Sequence, residues 1–356
     1  MKTFLLLQVL ILTTTAPQTL GQHALRGNQR IPTRIFSVQN KKTKSNKTTC
    51  HQSATASTTY PESKDMTTLF LIDLQNDFHP GGALAIPSAD ADAERTASFI
   101  KRNALSIDRI VATLDSHHKL NIALPAFWTD ANGDRPAPFT VISNQDIING
   151  KWIPRSDLKF PPMEMPLIEQ DVIGDSFASL FKANGDIDTL AWSIEYTKRL
   201  EENGRDQLHI WPEHCIIGTP GHNVVACVRD ALDEWSDKTG RSVEWIEKGQ
   251  NLLTEMYSAL SAEVPVDAMT SFDNTLLDSL KQSKQLIVCG QALSHCVNHT
   301  VRDIVKNWPK DETGKILLLK DCTSPVPGFE EASKKFIFDM INAGVVVDTS
   351  ENVILG

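Results

Sequence analysis

The stretch 285-QLIVCGQALSHCVNHTVRDIVKNW-308 reads as strand, tight loop and helix. Leu286, Ile287, Val288 and Cys289 form a continuous apolar run of the kind found in strands buried on both faces, and Gly290 ends it. From Val297 onward, Val301, Ile304 and Val305 recur at helical spacing, which puts Cys296 at a helix N-terminus. Unpaired N–H groups and the helix dipole there favour a thiolate, so Cys296 is a candidate nucleophile. Taken alone it reads first as a small apolar residue filling a turn, since free cysteines are often buried and inert.

Working outward, strands are expected over 69–72, 109–114, 208–211, 243–247, 286–289, 315–319 and 344–347. Helices are expected over 89–103, 223–235, 275–282 and 329–342. Strand and helix alternate, which predicts one three-layer α/β/α sandwich with a mostly parallel sheet. In such sheets the site lies outside the carboxyl ends of the strands. Here five strand ends deliver Asp73, Asp115 with His117, His214, Lys248 and Cys296 to one edge. Asp73, Lys248 and Cys296 form a nucleophile set in which a carboxylate takes the thiol proton and an ammonium steadies the charges. Asp115, His117 and His214 form a two-histidine, one-carboxylate set suited to zinc, iron or manganese. His214, beside Trp211 and Pro212, also reads as a packed loop residue. His118 is a candidate extra ligand, and Phe78, Trp128 and Trp211 are candidate walls for a flat substrate or simply core.

The chain has 356 residues, 41% of them hydrophobic, and a formal net charge of −9. That is enough for a large core, and the acidic balance argues against a nucleic-acid partner. Six unevenly spaced cysteines, Cys50, Cys215, Cys227, Cys289, Cys296 and Cys322, read as free thiols. Residues 1–22, with one early lysine and the core FLLLQVLIL, read as a secretory signal peptide. Residues 23–65, rich in Ser and Thr and free of acid before Glu62, read as a transit-like segment or a disordered linker. Entry into the secretory pathway is the expectation, ending in secretion or in an organelle such as a plastid, with no membrane span in the mature part. Sequons occur at Asn46 and Asn298, the second within the expected helix.

The segments FLIDLQNDFHPGGAL, ATLDSHH, WPEHCIIGTPG, EWIEKGQNLLTEMYSAL and VCGQALSHCVNHTVRDI, in this order, resemble the nicotinamidase branch of the isochorismatase-like cysteine hydrolases. The resemblance covers roughly residues 67–349 and makes 66–356 the hydrolase domain. It implies Asp73 as general base, Lys248 as triad lysine, Cys296 as nucleophile, and Asp115, His117 and His214 as ligands of a divalent metal, zinc foremost. It implies a cis peptide at Gln291–Ala292, an oxyanion hole from the N–H groups of Ala292 and Cys296, and Gln291 beside the substrate. The implied reaction, part of NAD salvage, converts nicotinamide to nicotinate and ammonia. Another small amide or ureide, or a silent binding protein on this scaffold, are the alternatives; family members are often homo-oligomers. Two departures stand out. Residues 121–125 offer no further histidine ligand, and 129–207 forms an insertion longer than nicotinamidases generally have, expected to lid the pocket, build an interface or alter the substrate.

Overall fold

The computed structural model describes residues 66–159, 180, 187–204 and 207–356. The signal-peptide and transit-like segments, Cys50 and the Asn46 sequon lie outside the described residues. The central sheet contains β1 (Thr67–Ile72), β2 (Arg109–Asp115), β7 (Glu244–Lys248), β8 (Gln285–Gly290), β9 (Ile316–Leu319) and β10 (Val346–Asp348). Its order is β10-β9-β8-β1-β2-β7, and every pairing is parallel. This is the expected α/β architecture.

Side-chain alternation explains the layers. Leu69 and Leu71 of β1 face one side, where they pack with Phe99 and Ile100 of α1 (Ala89–Arg102) and with Leu232 and Trp235 of α4 (Ala226–Thr239). Phe70 and Ile72 face the other, against Leu280 of α5 (Asn274–Lys281), Val297 and Val301 of α6 (Cys296–Lys306), and Phe336 of α7 (Glu330–Asn342). A strand sealed on both faces is the physical meaning of the uninterrupted apolar run. Truncating the fully buried Phe70 to alanine would cost about 3–5 kcal/mol. Asn298, the second sequon, is buried on α6, its amide donating to the Ser294 carbonyl. Among the described residues no helix is long and apolar enough to cross a membrane.

One expected strand belongs elsewhere. Residues 208–211 yield only the two-residue β6 (Leu208–His209), antiparallel to β4 (Val141–Ile142) in a separate small sheet. Four residues with a single interruption are too few to fix a place in the parallel sheet, and the preceding insertion carries the chain past its edge. His214 therefore comes from a loop, and four ends of the parallel sheet supply the remaining candidates.

The described part of the insertion is an annex. It holds β3 (Trp128–Thr129) paired with β5 (Ile153–Pro154), the short α2 (Asn144–Ile148) and α3 (Thr189–Glu202). Ser143 and Asp146 close a capping box on α2, and the Asp188 side chain caps α3 by accepting from the Ala191 amide. Trp192, Tyr196 and Leu200 of α3 pack into a third core cluster with Ile122, Phe127, Trp128 and Trp211.

Candidate active site

Each catalytic candidate leaves its strand by a specific backbone device. Asp73 follows β1 with φ +45°, a left-handed conformation that turns its side chain across the sheet edge. Thr113 of β2 fixes it: the Asp73 amide donates to Thr113 Oγ1 at 3.1 Å, and that hydroxyl donates to Asp73 Oδ1 at 2.5 Å. At the end of β8, a Cβ on Gly290 (φ +127°) would strike the Ile72 carbonyl, so only glycine lets the two strands end side by side. The chain then passes through a cis Gln291–Ala292 peptide and enters α6 at Cys296.

Lys248, the last residue of β7, joins these groups. Its Nζ stands 2.9 Å from Asp73 Oδ2, 3.1 Å from Asp115 Oδ1, 3.1 Å from the Met256 carbonyl and 3.5 Å from Cys296 Sγ. The contact with Asp73 Oδ2 is an ion pair by distance but lies outside hydrogen-bond geometry, so this oxygen has no hydrogen-bond partner. Burial opposes the charge on Lys248, but Asp115, Asp73 and Cys296 raise its pKa well above the usual lysine range. Burial also pushes the Asp73 carboxyl up, against the pull of Lys248. The Cys296 thiol is raised well above its ordinary value, first by burial, with Lys248 pulling down and Asp73 and Asp115 pushing up. Burial thus works against the thiolate that the helix end favours, and the carboxylate of Asp73 stands in the same cluster as a base.

Asp115, His117 and His214 present ligand atoms all within 4.8 Å of one another. Gln75 clamps Asp115 from behind, its Nε2 donating to the Asp115 carbonyl at 2.8 Å and its Oε1 accepting from the Asp115 amide at 2.7 Å. His214 donates through Nδ1 to the Pro212 carbonyl at 2.8 Å, which turns Nε2 toward Asp115 Oδ2 at 3.2 Å. Burial opposes ionisation of Asp115, but His117, Lys248 and His214 hold its carboxyl well below the usual range. Both ring nitrogens of His117 are buried without a hydrogen-bond partner. An unpartnered His117 nitrogen beside a carboxylate and a second imidazole fits one ligand position of a divalent metal. His118 is exposed and outside this set.

Both constellations open onto one pocket, with about 320 Å³ of space continuous with solvent. Its walls include Phe78, Leu84, Trp211, Tyr257, His295 and Val326, with Asp115, His214, Glu255, Ala292 and Cys296 at the reactive end. Among the described residues neither the Ala292 nor the Cys296 amide has a hydrogen-bond acceptor. Phe78 meets the His214 ring edge-on at 5.5 Å, and Trp211 donates to the Tyr257 hydroxyl at 2.9 Å.

Two expected substrate residues sit elsewhere. Trp128 is fully buried in the annex core with its indole N–H on the Ile122 carbonyl. Gln291 is buried, donating to Asp92 Oδ2 at 2.9 Å and accepting from the Ser324 amide at 3.2 Å, so its side chain braces the turn and does not line the pocket. Sequence reasoning overlooked Glu255 and Tyr257, although both lie in the stretch EWIEKGQNLLTEMYSAL. His295 packs edge-on against Trp211 at 4.9 Å and Phe329 at 4.6 Å.

In sequence and in fold the chain is similar to nicotinamidases. The nicotinamidase of Escherichia coli K12 is 27% identical over 238 residues, spanning 67% of this chain and 76% of that protein. The Acinetobacter baumanii nicotinamidase/pyrazinamidase structure superposes with a TM-score of 0.50 at 20% identity, covering 81% of this chain and 98% of the other. Yeast nicotinamidase bound to the inhibitor nicotinaldehyde gives 0.50 at 19%, covering 80% and 100%. No family profile matches the chain.

Proposed function

We propose that this protein is an amidohydrolase that converts nicotinamide to nicotinate and ammonia, with Asp73, Lys248 and Cys296 as its catalytic residues. The observation that carries the reading is the placement of Lys248 Nζ within 2.9 Å of Asp73 Oδ2 and 3.5 Å of Cys296 Sγ, with Cys296 itself lining an aromatic-walled pocket. The E. coli relative, a nicotinamidase, supports the same substrate.

Asp73 Oδ2, without a hydrogen-bond partner, takes the proton of Cys296 as its sulfur adds to the amide carbon. Lys248 steadies the thiolate during transfer. The carbonyl oxygen gains negative charge against the free N–H groups of Ala292 and Cys296. Asp73 returns the proton to the departing nitrogen, the C–N bond breaks and ammonia leaves a thioester on Cys296. Water then adds to the thioester while Asp73 accepts its proton, and nicotinate departs as Cys296 recovers the thiol. Phe78 and Trp211 offer flat faces for a pyridine ring. A divalent metal held by Asp115, His117 and His214, zinc or alternatively iron or manganese, would bind the ring nitrogen and orient the amide over Cys296.

The test is ammonia release from nicotinamide by the full-length protein, with Cys296→Ala as control. Turnover lost in the control, with metal content unchanged, is the expected result. A wild-type protein that releases no ammonia from nicotinamide overturns the substrate assignment.

A further inference from the structure

Among the described residues that line the pocket, Glu255 is the one acidic group outside the two constellations. It is 3% exposed, and its Oε1 accepts from the Met256 amide at 2.8 Å and stands 3.4 Å from His117 Nε2. Its Oε2 is buried without a hydrogen-bond partner. A carboxylate oxygen left this way is costly unless a donor or a cation completes it. Both the residue and the candidate metal ligands Asp115 and His214 face the same pocket. Yet Glu255 is not part of the set whose ligand atoms lie within 4.8 Å of one another, which puts it one step outside direct coordination.

Glu255 lies in a stretch without regular secondary structure, between β7 and α5, so other elements must hold it. The insertion does. Tyr196 of α3 accepts the Glu255 amide N–H on its hydroxyl at 3.2 Å, and Trp192, one turn earlier, donates its indole N–H to the Leu253 carbonyl at 2.8 Å. Both side chains are fully buried. Asn121, just past the ligand His117, ties the same loop by donating to the Asn251 carbonyl at 2.9 Å. The insertion thus reaches the site through this loop.

We infer that Glu255 is an outer-sphere positioning residue of the metal set, placed by Tyr196 and Trp192 of the insertion. The inference rests on the reading of Asp115, His117 and His214 as metal ligands. Glu255 then satisfies the space beside His117 by holding water bound to the ion, in a protein whose 121–125 segment supplies no further histidine. Outer-sphere partners of this type change metal affinity by about 10–100-fold when removed.

The experiment titrates Co²⁺ into chelator-stripped full-length protein and reads both affinity and the visible absorption of the bound ion. Wild type should bind one Co²⁺. Glu255→Gln should bind about 10–100-fold more weakly with an altered spectrum. Tyr196→Phe, which touches no ligand and keeps the ring, should move affinity in the same direction by less, and it tests the inference even where Glu255→Gln does not fold. Wild-type affinity and spectrum in Glu255→Gln would overturn the role of Glu255 alone. Unchanged affinity in Tyr196→Phe would overturn the link to the insertion. Failure of wild type to bind Co²⁺ would overturn the metal reading and this inference with it.

Discussion

Lys248 and Asp73 form an ion pair sealed from solvent, with Nζ 2.9 Å from Oδ2 and side chains 1% and 0% exposed. The same ammonium is the counter-charge for Asp115 at 3.1 Å, so one cation serves both constellations. Lys248→Met keeps the volume and removes the charge, leaving two buried carboxylates without it. Breaking a buried pair in this way costs about 3–5 kcal/mol. Denaturant unfolding of the variant should show a loss of that size along with loss of turnover.

The Thr113 hydroxyl donates a hydrogen bond to Asp73 Oδ1 at 2.5 Å. That bond favours the carboxylate and works against the burial that raises the Asp73 pKa. Thr113→Val is nearly isosteric and removes the donor. Asp73 should then hold its proton to higher pH, so the acid limb of kcat/KM against pH should move upward while the plateau at higher pH changes less. A profile with its acid limb unmoved would show that Asp73 is not the group whose ionisation sets it.

The sheet and part of this candidate site are legible in the sequence because they obey local rules. An apolar run sealed on both faces reads as a central strand, and Asp73 and Cys296 lie beyond the carboxyl ends of two such runs, β1 and β8, while Lys248 closes the half-exposed β7. The strand before His214 belongs to a separate small sheet and not to the parallel one, and a four-residue run cannot say which sheet it joins. Trp128 illustrates a different limit: an aromatic residue serves a core and a binding wall equally well in sequence, and only the annex packing decides. Glu255 stayed hidden because its loop has no period to read and is positioned by Tyr196, 59 residues away. The burial that opposes ionisation of Cys296 is hidden for the same reason, since a helix end is local and visible whereas desolvation comes from the whole surrounding fold.

Gly249 offers a way to disturb the metal set without touching a ligand. It follows Lys248 with φ +78°, and a Cβ there would lie 2.9 Å from Asp115 Oδ1 and 3.3 Å from His117 Cε1. Gly249→Ala therefore combines a left-handed backbone cost of about 1–2 kcal/mol with pressure on two of the three proposed ligands. The expected outcome is a lower melting temperature and reduced metal content in the purified variant, measured by elemental analysis. Full metal content would argue that Asp115 and His117 do not hold the ion in the arrangement seen here.

His295 predicts how the fold responds to acid. Burial pushes its pKa well below the ordinary 6.5, and the neighbouring His299 and His209 push the same way. The folded protein keeps the imidazole neutral where the unfolded chain would protonate it. Its contribution is therefore present in full above about pH 6.5 and is lost as pH falls from there toward the folded-state value. One pH unit of unequal protonation is worth about 1.4 kcal/mol, so the buried ring should account for about 1–2 kcal/mol of lost stability by pH 5. His295→Gln removes the titrating group while keeping a polar side chain of similar reach. Thermal unfolding followed from pH 8 to pH 5 should show a shallower acid-side decline in this variant than in wild type, even if its stability at pH 8 is lower. Parallel curves for the two proteins would mean that His295 is protonated to the same extent in folded and unfolded chains, and that burial against Trp211 and Phe329 does not exclude its charge.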